Sequence, residues 1–256
     1  MPHIEFSIDG YVARVHLNRP ETLNAITPEM DDMLAEAWQR INDDEGIRVA
    51  LLTAEGGRAF CAGADIASGL SAAAPRAFGG GLTGIGGPLV TLDKPLVAAV
   101  QGHAVGGGFE LAMCADILII SESAQFRLPE VQRGLIDHSG VLHRAARKLP
   151  LNVAMDLILT GRPLRAEDAL RFGLASRMVG SDDLISAALE ICAAIAKAAP
   201  LAAQAAKQAV AVGLEHTLEQ ALGRDYAAIR RFRSSQDAVE AVAALREKRE
   251  PIWKGR

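Results

Sequence analysis

Two glutamates and a run of three glycines are the residues of this chain whose types and spacing could do chemistry. Gly106, Gly107 and Gly108 precede Glu110, and Glu130 follows after a second apolar run, Ile117 to Ile120. Paired carboxylates suit proton transfer, one taking a proton while the other delivers one. The glycines let the backbone approach a ligand closely, and the helix formers of FELAMCAD follow them. Exposed N–H groups and the positive end of a helix dipole then face one point, which is a seat for an oxyanion. Two carboxylates beside an anion seat make a candidate active site.

The elements that must position these residues can be read along the chain. Leu96 to Val100, bounded by Pro95 and Gly102, suits a strand buried on both faces, although periodicity alone also admits a helix segment. Upstream, Ile4, Phe6 and Ile8 alternate with polar residues, Asp9-Gly10 is a turn signal, and Tyr11, Ala13, Val15 and Leu17 alternate beyond it, which predicts a hairpin. Thr27-Pro28 starts a helix carrying Met30, Met33, Leu34, Ala37, Trp38 and Ile41 at helical spacing, with Gly46 just past its end. A strand is expected at Val49 to Thr53. In EGGRAFCAGADI, small residues stand where a strand should hand over to a helix, and the Ala62-Gly63-Ala64 backbone can serve a ligand or simply make a tight turn.

Residues 67 to 91 are rich in Gly, Ala and Ser and read as a mobile loop or lid. They contain G-x-G-x-x-G at Gly79, Gly81 and Gly84. No strand precedes it and Pro88 follows, so a dinucleotide fingerprint lacks its context. After Glu130 the chain reads as a loop entering a helix, a helix closed by Gly161, and a further helix and short strand by about residue 180. Sheets covered by helices, an α/β fold, are the expectation. The remainder is Ala-rich and helical, and Ser234-x-x-Asp237 resembles a capping box opening the last helix.

Composition removes several classes. The 256 residues are 50% hydrophobic with 4% aromatic residues and a net charge of −4, so a large core is possible and a nucleic-acid footprint is not apparent. No apolar run approaches the ~20 residues of a membrane span, and MPHIEFSIDG lacks a secretory pattern, which makes a cytoplasmic location the expectation. Cys61, Cys114 and Cys192 have neither zinc spacing nor disulfide density and read as reduced, buried fillers.

LNRPETLNAIT, AFCAGADI, KPLVAAVQGHAVGGGFELAMCADI, FRLPEVQRGL, AMDLILTGRPLRAEDALRFGLA and EKREPIWKGR stand in the order of the crotonase superfamily, the enoyl-CoA hydratase and isomerase family, and nearly the whole chain resembles it. The resemblance implies a crotonase-like spiral of ββα repeats over residues 1–195, holding the active site, and a helical oligomerisation region over residues 196–256. It implies a homotrimer or a dimer of trimers. Activity would be hydration of an enoyl-CoA thioester in fatty-acid or related acyl-CoA metabolism, with no metal or redox cofactor, coenzyme A being part of the substrate. Ala62 and Gly107 match the family's two oxyanion-hole donors, and Glu110 and Glu130 match its catalytic glutamates, Glu110 mainly for the water and Glu130 mainly for the α-proton. Ala25, Ala62, Gly63, Ala64, Asp65, Ile66, Gly106 and Gly107 match substrate-binding positions, Asp65 as a turn residue.

The chain departs from the family in two places. Glu21 and Thr22 stand where a lysine often meets the CoA phosphates. GLIDHSGVLHR replaces a loop that often reads GLxPGxGGTQR, which makes Asp137 and His138 a possible specificity loop or an ordinary hydrogen-bonded turn. With FRLPE and PIWKGR, this loop looks closer to carnitinyl-CoA dehydratase-like members. Asp156 reads as structural. The alternatives are an enoyl-CoA isomerase, which needs one base, a carnitinyl-CoA dehydratase-type activity, a catalytically silent acyl-CoA-binding homologue, and, most distantly, a dinucleotide-dependent oxidoreductase.

Overall fold

The computed structural model describes residues 2–68, 81–85, 90–136 and 139–256. Asp137, His138, Gly79 and most of the segment expected to form a lid lie outside the described residues. The opening hairpin forms as expected: β1 (Ile4–Asp9) pairs antiparallel with β2 (Val12–Leu17), and Gly10 turns between them at φ +54°. The chain continues through α1 (Pro28–Asp43), β3 (Val49–Ala54), β4 (Ala59–Cys61), β5 (Leu96–Val100), β6 (His103–Val105), α2 (Gly107–Met113), β7 (Ile117–Ser121) and β8 (Gln125–Arg127). Then come α3 (Val141–Lys148), α4 (Leu151–Thr160), β9 (Leu164–Arg165), α5 (Ala166–Arg171) and β10 (Arg177–Val179). The described chain closes with α6 (Leu184–Ala196), α7 (Pro200–Gly213), α8 (Leu218–Gly223), α9 (Ala227–Arg233) and α10 (Gln236–Glu247).

From β3 to β8, consecutive strands go alternately to two sheets. The larger has the order β1-β2-β3-β5-β7-β10, parallel from β2 onward, and the smaller the order β4-β6-β8-β9, with only β8–β9 antiparallel. This alternation winds the chain into a spiral. The central strands β3, β5 and β7 of the large sheet are buried on both faces, which is why Leu96–Val100 reads as an unbroken apolar run. Ala50, Leu52, Leu96, Ala98, Val100, Leu118 and Ile120 face the main core. Val49, Leu51, Val97, Ala99 and Ile119 face Leu184, Ala188 and Cys192 of α6.

α1 begins where its sequence signals place it. Thr27 Oγ1 accepts from the Met30 N–H at 3.2 Å, and Pro28 occupies the first turn. Trp38 projects from this helix with its indole N–H donating to Leu82 O at 2.7 Å, which ties down the 3-10 turn Gly81–Thr83. The cap of the last helix differs from the expectation by one residue. Ser235, not Ser234, accepts from Ala238 N, while the Asp237 carboxylate accepts from the N–H groups of Lys254 and Gly255. A true capping box opens α8 instead, between Thr217 and Gln220. Among the described residues, no single helix is long and apolar enough to cross a membrane.

His16 on β2 is buried opposite Thr53 on β3, with Nδ1 and Thr53 Oγ1 2.8 Å apart and Nε2 3.3 Å from Glu55. Burial, and then the nearby Arg14, hold its pKa below the ordinary value. The unfolded chain therefore binds a proton that the native state refuses, and stability falls as pH drops through about 6.5. His16→Gln should flatten the loss of urea-unfolding stability between about pH 7 and pH 5. An unchanged slope would rule out neutral burial of His16 as its source.

Candidate active site

Three short parallel strands build the site. β4, β6 and β8 lie side by side in that order, with Val105 opposite Arg127 and Cys61 opposite Ala104, so their carboxyl ends fall together. β4 runs into Ala62-Gly63-Ala64, β6 into Gly106-Gly107 and α2, and β8 into Leu128-Pro129-Glu130. Open ends of parallel strands are where α/β folds bind ligands, since the turns there expose unspent backbone groups. The Gly106 N–H donates to Arg127 O at 2.9 Å, which fixes the β6 turn against the β8 exit.

Glu110 lies in the first turn of α2 and is fully buried. Its Oε1 accepts from Arg144 Nη1 on α3, in an ion pair whose arginine side chain is 35% exposed. Cys114, which caps the C-terminal end of α2, sits with Sγ 3.6 Å from the same oxygen. Glu130 is half-buried at the start of a 3-10 turn, and its Oε1 occupies the place that a side chain on Gly106 would need. Both carboxylates thus lie by the Gly106-Gly107 turn, Glu110 carried there by α2 and Glu130 by the exit of β8.

The anion seat needs one correction. The Ala62 N–H donates to Leu23 O at 3.0 Å, so it is committed inside the fold and does not serve as a donor to a ligand. Two residues on, Ile26 N donates to Gly63 O at 2.8 Å and Asp65 N to Ile26 O at 2.9 Å. This parallel bridge uses the groups flanking Ala64 and leaves the N–H of that exposed residue without an acceptor among the described residues. Gly107, as the first residue of α2, has no intrahelical acceptor for its N–H. α2 is only 7 residues long, so individual N–H groups rather than a long helix dipole define the seat. Gly63 closes the distance: at φ +90°, a Cβ there would meet Val105 O at 2.7 Å and Gly107 N at 3.3 Å.

A buried polar frame holds this loop. Asn24 is fully buried in the left-handed region and donates to Glu55 O at 2.9 Å and Ala59 O at 3.1 Å, while accepting from Arg19 N at 2.9 Å. Arg19 Nη1 donates to Asp65 Oδ2 at 2.6 Å and Ala25 O at 3.1 Å. The guanidinium holds the Asp65 carboxyl below the ordinary carboxylate range, with backbone N–H groups of Ala67 and Ser68 adding to the effect. Asp65 is therefore a clamp on the turn, and Ala25 and Ile66 lie at its two ends. Glu21 lines a pocket of about 250 Å³ with Pro20 and Glu55 to Ala59, where Arg58 is the one basic side chain among the lining residues. No local sequence signal marks Arg19, Asn24 and Arg144, because Asp65, the carbonyls of Glu55 and Ala59, and Glu110, which they respectively engage, lie far along the chain. Arg144 stands at the end of the GLIDHSGVLHR segment.

The remaining residues fall away from the chemistry. Asp156 pairs with Arg162 on the surface. Burial pushes the Cys61 thiol up to about 12 and raises that of Cys114 well above its usual value, so neither thiol is poised as a nucleophile. Among the described residues, no group of three His, Cys, Asp or Glu could hold a metal ion.

A family model described as enoyl-CoA hydratase/isomerase matches residues 7–256. The chain belongs to that family. It is 39% identical over 253 residues to carnitinyl-CoA dehydratase of Proteus mirabilis (strain HI4320), covering 96% of each. Carnitinyl-CoA dehydratase of Salmonella agona (strain SL483) is 38% identical over 256 residues, with 97% of each covered. Among solved structures, a protein of Novosphingobium aromaticivorans DSM 12444 provisionally named a short chain enoyl-CoA hydratase is 48% identical, with a TM-score of 0.92 over 100% of this chain and 99% of the other. An enoyl-CoA hydratase of Mycobacterium marinum is 31% identical, with a TM-score of 0.90 and 100% of both chains covered. The crotonase spiral expected from the sequence is the fold of these structures.

Gly63 offers a test of the seat's construction. Gly63→Ala forces a side chain into a left-handed backbone and against Val105 O, so it should destabilise the fold by about 1–3 kcal/mol. Gly57→Ala, whose added methyl meets nothing within 4 Å, should stay within about 0.5 kcal/mol. Equal midpoints for the two variants in urea unfolding would contradict the close approach.

Proposed function

We propose that the chain is an enoyl-CoA hydratase, a hydro-lyase that reversibly adds water across the 2,3-double bond of an enoyl-CoA thioester. The observation that carries this is the convergence of Glu110, Glu130 and the Ala64 and Gly107 backbone at the ends of β4, β6 and β8. Attack of water oxygen on the β-carbon moves an electron pair toward the thioester carbonyl. N–H donors held in place stabilise that developing charge, and losing one such donor costs about 10²–10³ in rate. Glu110 takes the proton from the water, and Glu130 delivers one to the α-carbon; in the reverse direction the roles exchange. The second carboxylate at the Gly106 turn favours hydration over an isomerase, which moves a proton with one base.

Hydration of crotonyl-CoA, followed as loss of the enoyl thioester absorbance, tests the reading. Glu110→Gln and Glu130→Gln should each lower kcat by about 10²–10⁴ with little change in affinity for the CoA ester. Near-normal turnover by either variant would remove that residue from the mechanism. A catalytically silent homologue would show no turnover with any enoyl-CoA.

A narrower reading of the acyl group rests on the relatives named carnitinyl-CoA dehydratase at 38–39% identity. It places crotonobetainyl-CoA within the thioester panel to be compared with crotonyl-CoA. Asp137 and His138 are proposed to bear on this choice, so Asp137→Pro, His138→Gly should shift the ranking of kcat/KM across the panel. A polar contact made to one acyl group and denied to another shifts it by up to about 10⁴, and packing alone by roughly 10–200-fold. An unchanged ranking would leave the pair as ordinary loop residues. Assembly through the C-terminal helices is proposed as well, supported by Leu214, Leu218, Leu222 and Leu245, each at least 75% exposed.

A further inference from the structure

We infer that Arg144 is a positioning residue for Glu110, holding its carboxylate ionised and fixed in orientation for the reacting water. The inference rests on the hydratase reading above and adds a residue to it. A fully buried carboxylate with no cation beside it favours the neutral form, which cannot take a proton. Glu110 is fully buried, and among the described residues Arg144 forms an ion pair with it. Lys148, on the same helix as Arg144, donates to Ala115 O at 2.8 Å and adds a weaker positive field at Glu110 without forming an ion pair with it, and Cys114 carries no charge at neutral pH with its thiol raised by burial.

The surroundings are shaped to this pair. α3 packs on α2 through the buried Val141 and Ala145, so Arg144 is presented from a fixed face. A Cβ on Gly140 would stand 2.5 Å from Arg144 Nη1, and one on Gly81 would stand 2.6 Å from it. Side chains at either place would displace the guanidinium. Gly81 is itself held by the 3-10 turn that Trp38 anchors. The arginine side chain stays 35% exposed while the glutamate is fully buried, so the cation reaches the carboxylate while keeping part of its own hydration.

Steady-state hydration of crotonyl-CoA by the full-length enzyme, with Arg144→Gln, Arg144→Lys, Glu110→Gln and the Glu110→Gln, Arg144→Gln double variant, separates this role from a merely structural one. Arg144→Gln should lower kcat by about 10–100-fold with KM within about threefold, a loss of the size known for partners that orient metal ligands. Arg144→Lys keeps the charge but not the planar fork and should lose about three- to tenfold. Because Arg144 acts through Glu110, the double variant should be within about twofold of Glu110→Gln alone. An Arg144→Gln enzyme with wild-type kcat, or losses that multiply in the double variant, would overturn the inference. If Arg144→Gln does not fold, Arg144→Lys decides, its kcat loss at constant KM supporting the role and an unchanged kcat overturning it. A wild-type enzyme inert toward every enoyl-CoA overturns the hydratase reading and this inference together, whereas an active wild type with an indifferent Arg144→Gln overturns the inference alone.

Discussion

The parallel pairing of β4, β6 and β8 is the constraint on which everything at the site depends. Each of these strands is only 3 residues long, and each would be meaningless alone. Side by side, they bring Ala64, Gly107 and Glu130, which are far apart along the chain, to one edge. The large sheet makes this possible. Its strands alternate with those of the small sheet along the chain, so the pairing of β3, β5 and β7 in the core dictates the spacing of β4, β6 and β8. Hydrophobic burial on both faces of the large sheet therefore sets a geometry that polar groups then use.

What holds the site is mostly backbone hydrogen bonding supported by a few sealed polar side chains. Asn24 satisfies two carbonyls and one N–H from full burial, and Arg19 locks Asp65 against the turn beside it. Such networks are costly when half made and rigid when complete. Completeness matters here because the Ala62-Gly63-Ala64 loop has no helix or strand of its own to stiffen it. Its shape is set by Leu23, Ile26, Val105 and the clamp on Asp65.

Local signals in the sequence were enough for much of this. The hairpin forms with its turn at Gly10-Tyr11, one residue past the Asp9-Gly10 signal, α1 begins at Thr27-Pro28, and Leu96–Val100 is a doubly buried strand, because each depends on neighbouring residues and a simple period. The placing of Glu110 in a first helical turn was legible for the same reason. What could not be read depended on partners distant in sequence. Ala62 and Ala64 are alike in type and differ only in that one N–H meets Leu23 O. Arg144 reaches Glu110 from a separate helix, and no spacing rule links them. β4 and β9 are too short to carry a period, so EGGRAFCAGADI showed a handover without showing the strand's place in a second sheet. The final cap was misplaced by one residue because Ser234 and Ser235 are adjacent, and the choice lay with Asp237, which is occupied by Lys254 and Gly255.

On the proposed reading, the two halves of the site are written in different parts of the chain's chemistry. The grip on the thioester oxygen belongs to main-chain N–H groups, whereas proton transfer belongs to two side chains. A single codon change erases a carboxylate outright, but most substitutions leave an N–H where it was, and only those that distort the turn disturb the grip. Lineages descending from such an ancestor can therefore exchange their acid and base, and with them the reaction, while the hold on the thioester persists through the drift.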